Sequence, residues 1–405
     1  MSEMEKYLQI KEIGKVITGK TPSTEDDSNF NGKFPFITPS DIKSFDEKYL
    51  LETERTLSEQ GAKKLKNNIL PKDAICFVCI GSTIGKMCLT NTIAYSNQQI
   101  NSLIVNNNFD AHYMFYFLRY IKSYFQQLGA GTGSGKGIVN KTTFEKSKVK
   151  VETIKNIQVK IADILSTYDN LIENNKKRIK LLEQMAENLY KEWFVRFRFP
   201  GYEDVEFENG IPKGWEIKKL FQFGRIETGK TPSKQQNKNY GKDIMFIKTP
   251  DMHNDIFVNS TDEYLSIEGH RTQPKKLIPE NSIMVSCIGT GGVVAINDEP
   301  AHTNQQINSI ILDNSNYLEW LYYTCVNLKK TIVMFGATGS TMTNLSKGKF
   351  EKLKILFPPE RYIVKYHELT KSIFLEIRLL MRENMTLIKQ RDLLLPRLMS
   401  GKLEV

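Results

Sequence analysis

The sequence lacks long apolar runs. The longest uninterrupted stretch of apolar residues, at positions 74–80, has seven members, whereas a membrane-spanning helix needs about 20. In the first fifteen residues, charged side chains alternate with apolar ones. A signal peptide would have an apolar core followed by small residues, and this segment has neither. We therefore expect a protein that does not cross a membrane and that lies in the cytoplasm.

Cysteine and histidine are also scarce. The five cysteines are odd in number, unevenly spaced and partly embedded in apolar runs, which indicates buried, reduced thiols rather than a disulfide framework. Cys76 and Cys79 have the spacing of a zinc-binding pair, but no second pair follows. The five histidines form no close cluster, and no methyltransferase or nuclease motif is evident. We expect neither a metal site nor a catalytic site.

Positive charge is only mildly in excess. The 405 residues include 56 Lys and Arg against 46 Asp and Glu, a net charge of +10, with 40% apolar residues. This composition excludes disorder, and the length fits two or three globular domains. The excess is uneven, because positions 1–150 carry 20 basic and 15 acidic residues whereas positions 201–358 carry 18 of each. Any phosphate contacts in the second half must therefore come from local lysine clusters.

The chain is an internal duplication. TGKTPS occurs at 18–23 and 228–233, CIG at 79–81 and 287–289, NQQIN at 97–101 and 304–308, and FEK at 144–146 and 350–352. The matched blocks keep their order while the offset falls only from 210 to 206. Each half is therefore one structural unit used twice. Short strand-like runs punctuated by Gly, Pro and Asn predict mixed α/β domains.

Each half ends in a helical segment with apolar residues at alternating spacings of three and four. This pattern predicts two helices with coiled-coil seams, the first about 48 Å long. The first seam includes Leu165, Ile172, Asn175, Ile179, Leu182 and Leu189, and the second includes Ile373, Ile377, Leu380, Asn384 and Leu387. Because each seam contains an Asn, we predict antiparallel packing with the two asparagines close together. Two separate amphipathic helices, each on its own domain, are the alternative.

Two segments match the phosphate-loop pattern GxxxxGK[ST], namely GKVITGKT at 14–21 and GRIETGKT at 224–231. A phosphate loop needs a buried strand before it and a helix after it. Pro and polar loop residues follow both segments instead. We therefore interpret both segments as parts of the fold. A nucleotide-binding protein that uses these loops, and a duplicated protein-interaction scaffold, are the alternative functions.

The order of these parts closely resembles the specificity subunit of Type I restriction-modification systems. The resemblance covers essentially the whole chain, and it includes the linker NGIPKGWEIKKL at 209–220 and the ending LLLPRLMSGKLEV at 393–405. The two helix entries depart from the family's usual pattern of Pro, Glu and Gln. The first has no Pro and the second has no Gln, which affects where each helix begins.

The resemblance implies an α+β fold with two similar α/β target-recognition domains, separated by two long helices packed as an antiparallel coiled coil with pseudo-twofold duplication. The domains would occupy 1–152 and 199–358, and the helical spacers 153–198 and 359–405. It implies a non-catalytic subunit that binds double-stranded DNA and assembles with two methyltransferase subunits and with restriction subunits. S-adenosylmethionine, ATP and magnesium would then be bound by those partners and not by this chain.

Blocks that are identical in both halves cannot distinguish two half-sites, so TGKTPS, CIG and NQQIN are assigned to the scaffold or to backbone contacts. Base-reading residues should lie where the halves diverge, at 43–68 and 253–276. The candidates are Arg55, Lys63, Lys64 and Lys66 in the first half, and His253, Asn254, Arg271, Gln273, Lys275 and Lys276 in the second. The candidates for phosphate contacts are Lys20, Ser23, Lys136 and Lys141, with Lys230, Ser233, Ser340 and Lys347 as counterparts.

Overall fold

The structure is a computed structural model that describes residues 5–43, 45, 48–50, 52–131, 137–253, 255–337 and 343–405. The chain separates into two compact units, unit 1 with Met1–Glu173 and Met385–Val405, and unit 2 with Asn174–Asn384. Both unit boundaries fall inside long helices, so they differ from the four segments expected from the sequence, which stay a prediction. Within the described ranges, no helix is long and apolar enough to span a membrane.

Unit 1 combines short strands with helices. The strands are β1 Glu5–Gln9, β2 Gly14–Thr18, β3 Phe30–Ile37, β4 Arg55–Leu57, β5 Ile75–Val78, β6 Met87–Leu89, β7 Tyr95–Ser96, β8 Ile100–Val105 and β9 Lys148–Glu152. The helices are α1 Ile10–Ile13, α2 Glu59–Lys64, α3 Ala111–Tyr120, α4 Lys122–Ala130, α5 Lys141–Lys146 and α6 Lys155–Tyr190, the last of which continues into unit 2. We call residues 5–152 domain 1.

The main sheet of domain 1 has the antiparallel order β2-β8-β5-β6, and a smaller sheet has the order β4-β3-β7. All four side chains of the central strand β5 are buried, because successive residues enter cores on opposite faces of the sheet. Ile75 and Phe77 join a core that includes Leu165 of α6, whereas Cys76 and Val78 face the other core. The apolar run at 74–80 therefore contains a strand that is covered on both sides.

Unit 2 repeats this construction. Its strands are β10 Phe207–Glu208, β11 Ile211–Pro212, β12 Glu216–Lys219, β13 Gly224–Thr228, β14 Tyr240–Gly241, β15 Ile244–Ile247, β16 Phe257–Val258, β17 Tyr264–Leu265, β18 Ile283–Ser286, β19 Ile288–Gly289, β20 Val294–Asn297, β21 Ala301–Thr303, β22 Ile307–Leu312, β23 Thr343–Asn344 and β24 Lys354–Phe357. Its helices are α7 Ile267–Arg271, α8 Leu318–Asn327, α9 Lys329–Gly336, α10 Lys347–Glu351 and α11 Glu360–Met399, the last of which ends in unit 1. We call residues 216–357 domain 2.

The sheets of the two domains correspond strand by strand. The order β13-β22-β18-β20 in domain 2 matches β2-β8-β5-β6 in domain 1, with β16 added at the edge. The pair β12-β24 likewise matches the pair β1-β9. The duplication and the α+β class expected from the sequence are confirmed.

The two long helices pack antiparallel in unit 2. The side chain of Asn175 on α6 contacts Asn384 on α11, and Arg178 pairs with Glu376 at 2.6 Å. Further along α6, the carbonyl of Ala186 accepts a hydrogen bond from the hydroxyl of Tyr366. Because contacts later on α6 involve earlier residues of α11, the helices run in opposite directions. Separate amphipathic helices, the alternative, are wrong.

Candidate nucleic-acid interface

In domain 1 the repeated TGKTPS and NQQIN blocks are joined to each other by hydrogen bonds. Thr18 donates from Oγ1 to Oδ1 of Asn101 at 2.7 Å, and Thr21 donates from Oγ1 to Oε1 of Gln98 at 2.8 Å. Between them the amide of Gly19 donates to the carbonyl of residue 100. A Cβ on Gly19 would lie 2.2 Å from two carbonyl oxygens, so this close approach requires glycine.

Domain 2 repeats the same set of contacts. Thr228 donates to Oδ1 of Asn308 at 2.6 Å, and Thr231 donates to Oε1 of Gln305 at 2.5 Å. A Cβ on Gly229 would again lie 2.2 Å from a carbonyl oxygen. The repeated blocks therefore form a hydrogen-bonded frame, which gives a physical reason for their identity in the two halves.

This geometry differs from that of a phosphate loop. The pattern at 14–21 begins as strand β2, and residues 19–29, all described, contain only one short helical turn, Asp27–Asn29. The second copy begins as β13 and is followed by the turn Asn237–Asn239. Each turn is three residues long, so neither presents the N-terminus of an extended helix to a phosphate. Nucleotide binding by these loops is not supported.

The frame continues into the segments whose sequences diverge. In domain 1 the amide of Asn29 donates to the carbonyl of Ser23, and the carbonyl of Asn29 accepts from the backbone amide of Ser58. Ser58 caps α2 by accepting from the amide of Gly61 at 3.1 Å. This places α2, which carries Lys63 and Lys64, directly against the TGKTPS loop.

Domain 2 holds α7 in the same way. The side-chain amide of Asn239 donates to the backbone carbonyl of Ser233. The backbone carbonyl of Asn239 accepts a hydrogen bond from the backbone amide of Ser266. Ser266 caps α7 by accepting from the amide of Gly269 at 3.0 Å. Two segments with little sequence similarity therefore share one local structure, which the repeated blocks alone did not predict.

Most of the predicted binding residues of domain 1 lie at its surface. Lys20, Ser23, Arg55, Lys63 and Lys66 are exposed. Their exposure leaves them available to a polyanion, but it also fits an ordinary solvated surface. Their roles in reading bases or contacting phosphates stay predictions.

Lys64 already makes hydrogen bonds to two side chains of domain 1. Its ammonium group donates to Oδ2 of Asp26 at 2.8 Å and to Oδ1 of Asn29 at 2.7 Å. The hydrogen bond from Lys64 is the largest of the interactions that lower the pKa of Asp26 to about 2. A lysine held by a carboxylate offers less charge to DNA than an exposed one, so Lys64 is a weaker candidate than Lys63.

The predicted residues of domain 2 divide into two groups. Lys230, Ser233, His253, Arg271 and Lys275 are exposed. Lys276 is half-buried and pairs with the carboxylate of Glu227, which also pairs with Arg225 at 2.9 Å.

Gln273 corrects one of the sequence predictions. Its side chain is 5% exposed, and its Nε2 donates to the carbonyl of Lys230 at 2.9 Å. A buried amide that is engaged with the backbone cannot reach a base edge. Gln273 therefore supports the TGKTPS loop and does not read DNA in this conformation.

Lys141 and Lys347 occupy equivalent positions on α5 and α10. Lys141 lies 3.6 Å from Glu145, and Lys347 lies 3.5 Å from Glu351, each one helical turn away. Exposed pairs of this kind contribute little to stability, so both lysines can exchange a carboxylate for a phosphate. Three further candidates, Lys136, Asn254 and Ser340, lie outside the described residues.

A polar cluster that the sequence did not predict lies behind α7. Nδ1 of His270 lies 3.0 Å from Nε2 of His302, and Nδ1 of His302 lies 3.4 Å from Nε2 of Gln273. Burial, followed by the effect of His270, lowers the pKa of His302 to about 4. The equivalent positions of domain 1 are Ala62, Leu65 and Tyr95, which form an apolar cluster. Aligning the two halves at offsets of 207 and 208 would have exposed this difference.

The predicted seam residues lie on the packed faces of the long helices. Leu165 and Ile172 of unit 1 are buried, and Leu387 is half-buried. In unit 2, Ile179, Ile377 and Leu380 are buried, and Leu182, Leu189 and Ile373 are half-buried. Nδ2 of Asn175 donates to Oδ1 of Asn384 at 3.1 Å and to Oε2 of Glu383 at 2.9 Å, so the buried amide is satisfied.

Comparisons with known proteins agree with this architecture. The family described as "Type I restriction modification DNA specificity domain" matches residues 1–184 and 212–365. The chain is 35% identical over 311 residues to the Type I restriction enzyme HindI specificity subunit of Haemophilus influenzae, covering 62% of this chain and 68% of that protein. It is 28% identical over 415 residues to the MjaIX specificity subunit of Methanocaldococcus jannaschii, covering 98% and 93%.

A solved structure shares the fold. The S subunit of a Type I restriction-modification system from M. genitalium superposes with a TM-score of 0.59 at 13% identity, over 98% of this chain and 97% of that one. Together with the family match and the 35% identical relative, the duplicated frame and the paired helices have one explanation: the chain belongs to the family of Type I restriction-modification DNA specificity subunits.

Proposed function

We propose that this chain gives a Type I restriction-modification complex its DNA sequence specificity, with each domain reading one half of a bipartite target. The observation that carries the proposal is the shared frame, which supports α2 in domain 1 and α7 in domain 2 with different exposed side chains. A frame used twice with different surface residues suits two half-sites of different sequence. As a member of this family, the chain is a DNA-recognition component and not the catalytic one.

The candidate reading residues of this proposal are Arg55, Lys63 and Lys66 in domain 1, and His253, Arg271 and Lys275 in domain 2. Lys64 and Lys276 are secondary candidates, because both already pair with a carboxylate. Contacts with the DNA backbone would come from Lys20, Ser23 and Lys141, and from Lys230, Ser233 and Lys347.

We further propose that the long helices form the docking surface for methyltransferase subunits. Both helices expose apolar side chains one helical turn apart, and apolar surface that is contiguous rather than scattered marks interaction sites. In unit 2 these include Leu181 and Met185 on α6, and Leu375 and Leu379 on α11, each more than half exposed. Two methyltransferase subunits, restriction subunits and the cofactors that they bind, S-adenosylmethionine, ATP and magnesium, complete the proposed complex.

The proposal is tested by producing this chain with its neighbouring methyltransferase subunit in a host without DNA methylation and mapping modified adenines across the genome. We expect a split motif of two short half-sites with a fixed gap. A stable complex that modifies no sequence, or only an undivided one, would contradict the proposal.

Salt dependence separates the proposal from a duplicated protein scaffold. Each phosphate contact releases counterions, so binding of the complex to duplex DNA should weaken steeply between low and high salt. Association that depends only on a protein partner and not on salt or DNA would favour the scaffold. ATP binding by the isolated chain would favour the nucleotide alternative.

A further inference from the structure

Asn175 and Asn384 mark equivalent points on α6 and α11. Residues at the same distance in sequence before each asparagine are buried to a similar degree on the two helices. Leu165 on α6 corresponds to Phe374 on α11, and Ile172 corresponds to Met381, and all four are buried. The same face of each helix therefore packs within its own unit, α6 under domain 1 and α11 under domain 2.

The charge on this face has opposite signs in the two units. Six and two residues before its asparagine, α6 carries Asp169 and Glu173. At the same two positions α11 carries Arg378 and Arg382. Both faces contact a domain that supplies the complementary charge.

In unit 2 the arginines of α11 hold a buried carboxylate of domain 2. Asp298, in the turn after β20, is 3% exposed at its side chain. Nε of Arg382 donates to its Oδ2 at 2.8 Å, and Nε of Arg378 lies 3.1 Å from its Oδ1. Arg378 also donates to Asn281 and stacks on the ring of Phe257 at 4.4 Å. A charge this deeply buried requires a partner of opposite sign.

In unit 1 the polarity is reversed. Lys48 of domain 1 is 6% exposed, and its ammonium group donates to Oγ of Ser166 on α6 at 2.7 Å. Burial lowers the pKa of Lys48, while the charge of Asp169 is the largest of the effects that oppose this. Asp169 in turn accepts from the hydroxyl of Tyr116 and pairs with Arg391 at 2.6 Å. Here the helix supplies the acid and the domain supplies the base.

We infer that each helix face selects its own domain by the sign of its charge, so that the two domains cannot exchange places. Domain 2 on the face of α6 would bring Asp298 against Asp169 and Glu173. Domain 1 on the face of α11 would bring Lys48 against two arginines. Like charges brought together in a desolvated contact repel each other strongly, so either exchange weakens docking.

The two exchanges are not equally unfavourable. Asp73 of domain 1 lies close enough to Lys48 to act on its pKa, and it would offset part of the repulsion from the arginines of α11. Domain 2 has Asn281 at the equivalent position, in the same left-handed backbone conformation. Domain 2 placed on α6 is therefore the more severe mismatch and the better test.

The test uses a full-length chain in which residues 216–357 replace residues 5–152 while both long helices stay unchanged. A matched chain adds Asp169→Arg, Glu173→Arg and Arg391→Leu, which copy Arg378, Arg382 and Leu182 of the other unit. Protection of residues 155–173 from hydrogen exchange and from protease reports docking without involving DNA. We expect protection to fall by more than about tenfold in the unmatched chain and to recover in the matched one. Equal protection of the two chains would overturn the inference.

A second test keeps the natural order of domains. Asp298→Arg places three cations together and should lower the unfolding midpoint of unit 2. Adding Arg378→Asp and Arg382→Asp restores opposite signs with reversed polarity, and should recover at least half of the loss. If the reversed set is as unstable as the single substitution, the contact does not depend on the sign of charge and the inference is wrong.

Discussion

The two domains share a frame and differ in what fills the space behind their divergent helices. In domain 1 the side chains of Ala62, Leu65 and Tyr95 fill this space with apolar atoms. In domain 2 the equivalent residues are His270, Gln273 and His302, joined by hydrogen bonds. One architecture therefore accepts either an apolar or a polar filling, although Oε1 of Gln273 has no hydrogen-bond partner among the described residues.

The difference changes how the TGKTPS loop is connected to the divergent helix. Apolar contacts in domain 1 have no preferred direction. In domain 2 the hydrogen-bonded series of side chains ends with Gln273, which donates to the carbonyl of Lys230. It therefore ties the TGKTPS loop to α7, where Arg271 is exposed. In domain 2 the orientation of the loop relative to α7 therefore depends on histidines, which can titrate. In domain 1 the equivalent cluster is apolar.

The largest effect should come from what the domains share. Gly19→Ala and Gly229→Ala each place a Cβ about 2.2 Å from backbone carbonyl oxygens, so each should lower the free energy of unfolding of its own unit by about 3 kcal/mol. Denaturant unfolding measures the loss. Gly348→Ala, where the added Cβ meets no atom within 4 Å, is the control and should be neutral or stabilising. Unequal losses in the two units would break the proposed equivalence.

The next effect concerns base reading on equivalent helices. If Arg271 reads a base, Arg271→Ala should cost about 1 to 3 kcal/mol of discrimination in the second half-site only. Lys63→Ala, at the equivalent position of α2, should relax only the first half-site. The modified motif of each variant complex measures both. Unchanged motifs would remove these residues from the reading set.

Acid should weaken the polar cluster of domain 2, whereas the equivalent apolar cluster of domain 1 has no group that titrates in acid. The folded pKa of His302 is about 4, below the value of about 6.5 for an unfolded histidine. As pH falls from about 6.5 to 4 the unfolded chain binds the proton first, so stability present at neutral pH is lost, by about 1 to 2 kcal/mol after allowance for solvent screening. Burial raises the pKa of Glu183 in the same unit to about 7, which contributes with the opposite sign, so the loss is measured as the difference in acid response between the natural chain and a variant without the cluster, with unfolding followed at pH 7 and pH 5.

The control for this acid effect transplants the filling of domain 1. The triple variant His270→Ala, Gln273→Leu and His302→Tyr should lose the contribution of the cluster to the acid response while still folding at pH 7. An acid response as large as that of the natural chain would place its origin outside the cluster.

The smallest effect concerns phosphate contacts. Lys141→Ala and Lys347→Ala remove exposed ammonium groups paired with carboxylates one turn away. If they contact phosphates, each should weaken DNA binding uniformly across sequences and reduce the slope of binding against salt by about 1. A variant that alters the recognised bases would instead move its lysine to the reading set.

Much of the architecture followed from the sequence because it repeats. The duplicated blocks predicted two equivalent domains, and the seams predicted the helix pair, since both rest on periodic patterns. Burial within short irregular segments follows no such period. Gln273 was therefore grouped with base-reading residues by its chemical type, although its equivalent Leu65 already indicated an interior position. The ion pairs of Asp298 with α11 join residues about 80 positions apart, and no local pattern predicts them.

The burial of all five cysteines, each within the described residues, has a practical consequence. Burial raises the pKa of Cys79 and Cys287 to about 11, and it is the thiolate form that reacts with maleimides. Hydrogen bonding with Cys88 lowers the pKa of Cys76, but that side chain has no exposed surface for a maleimide to reach. A cysteine introduced at Ser23 or Ser233, which are exposed and equivalent, should therefore be labelled with little background from native thiols. A dye at each position in turn would report DNA arriving at one domain independently of the other.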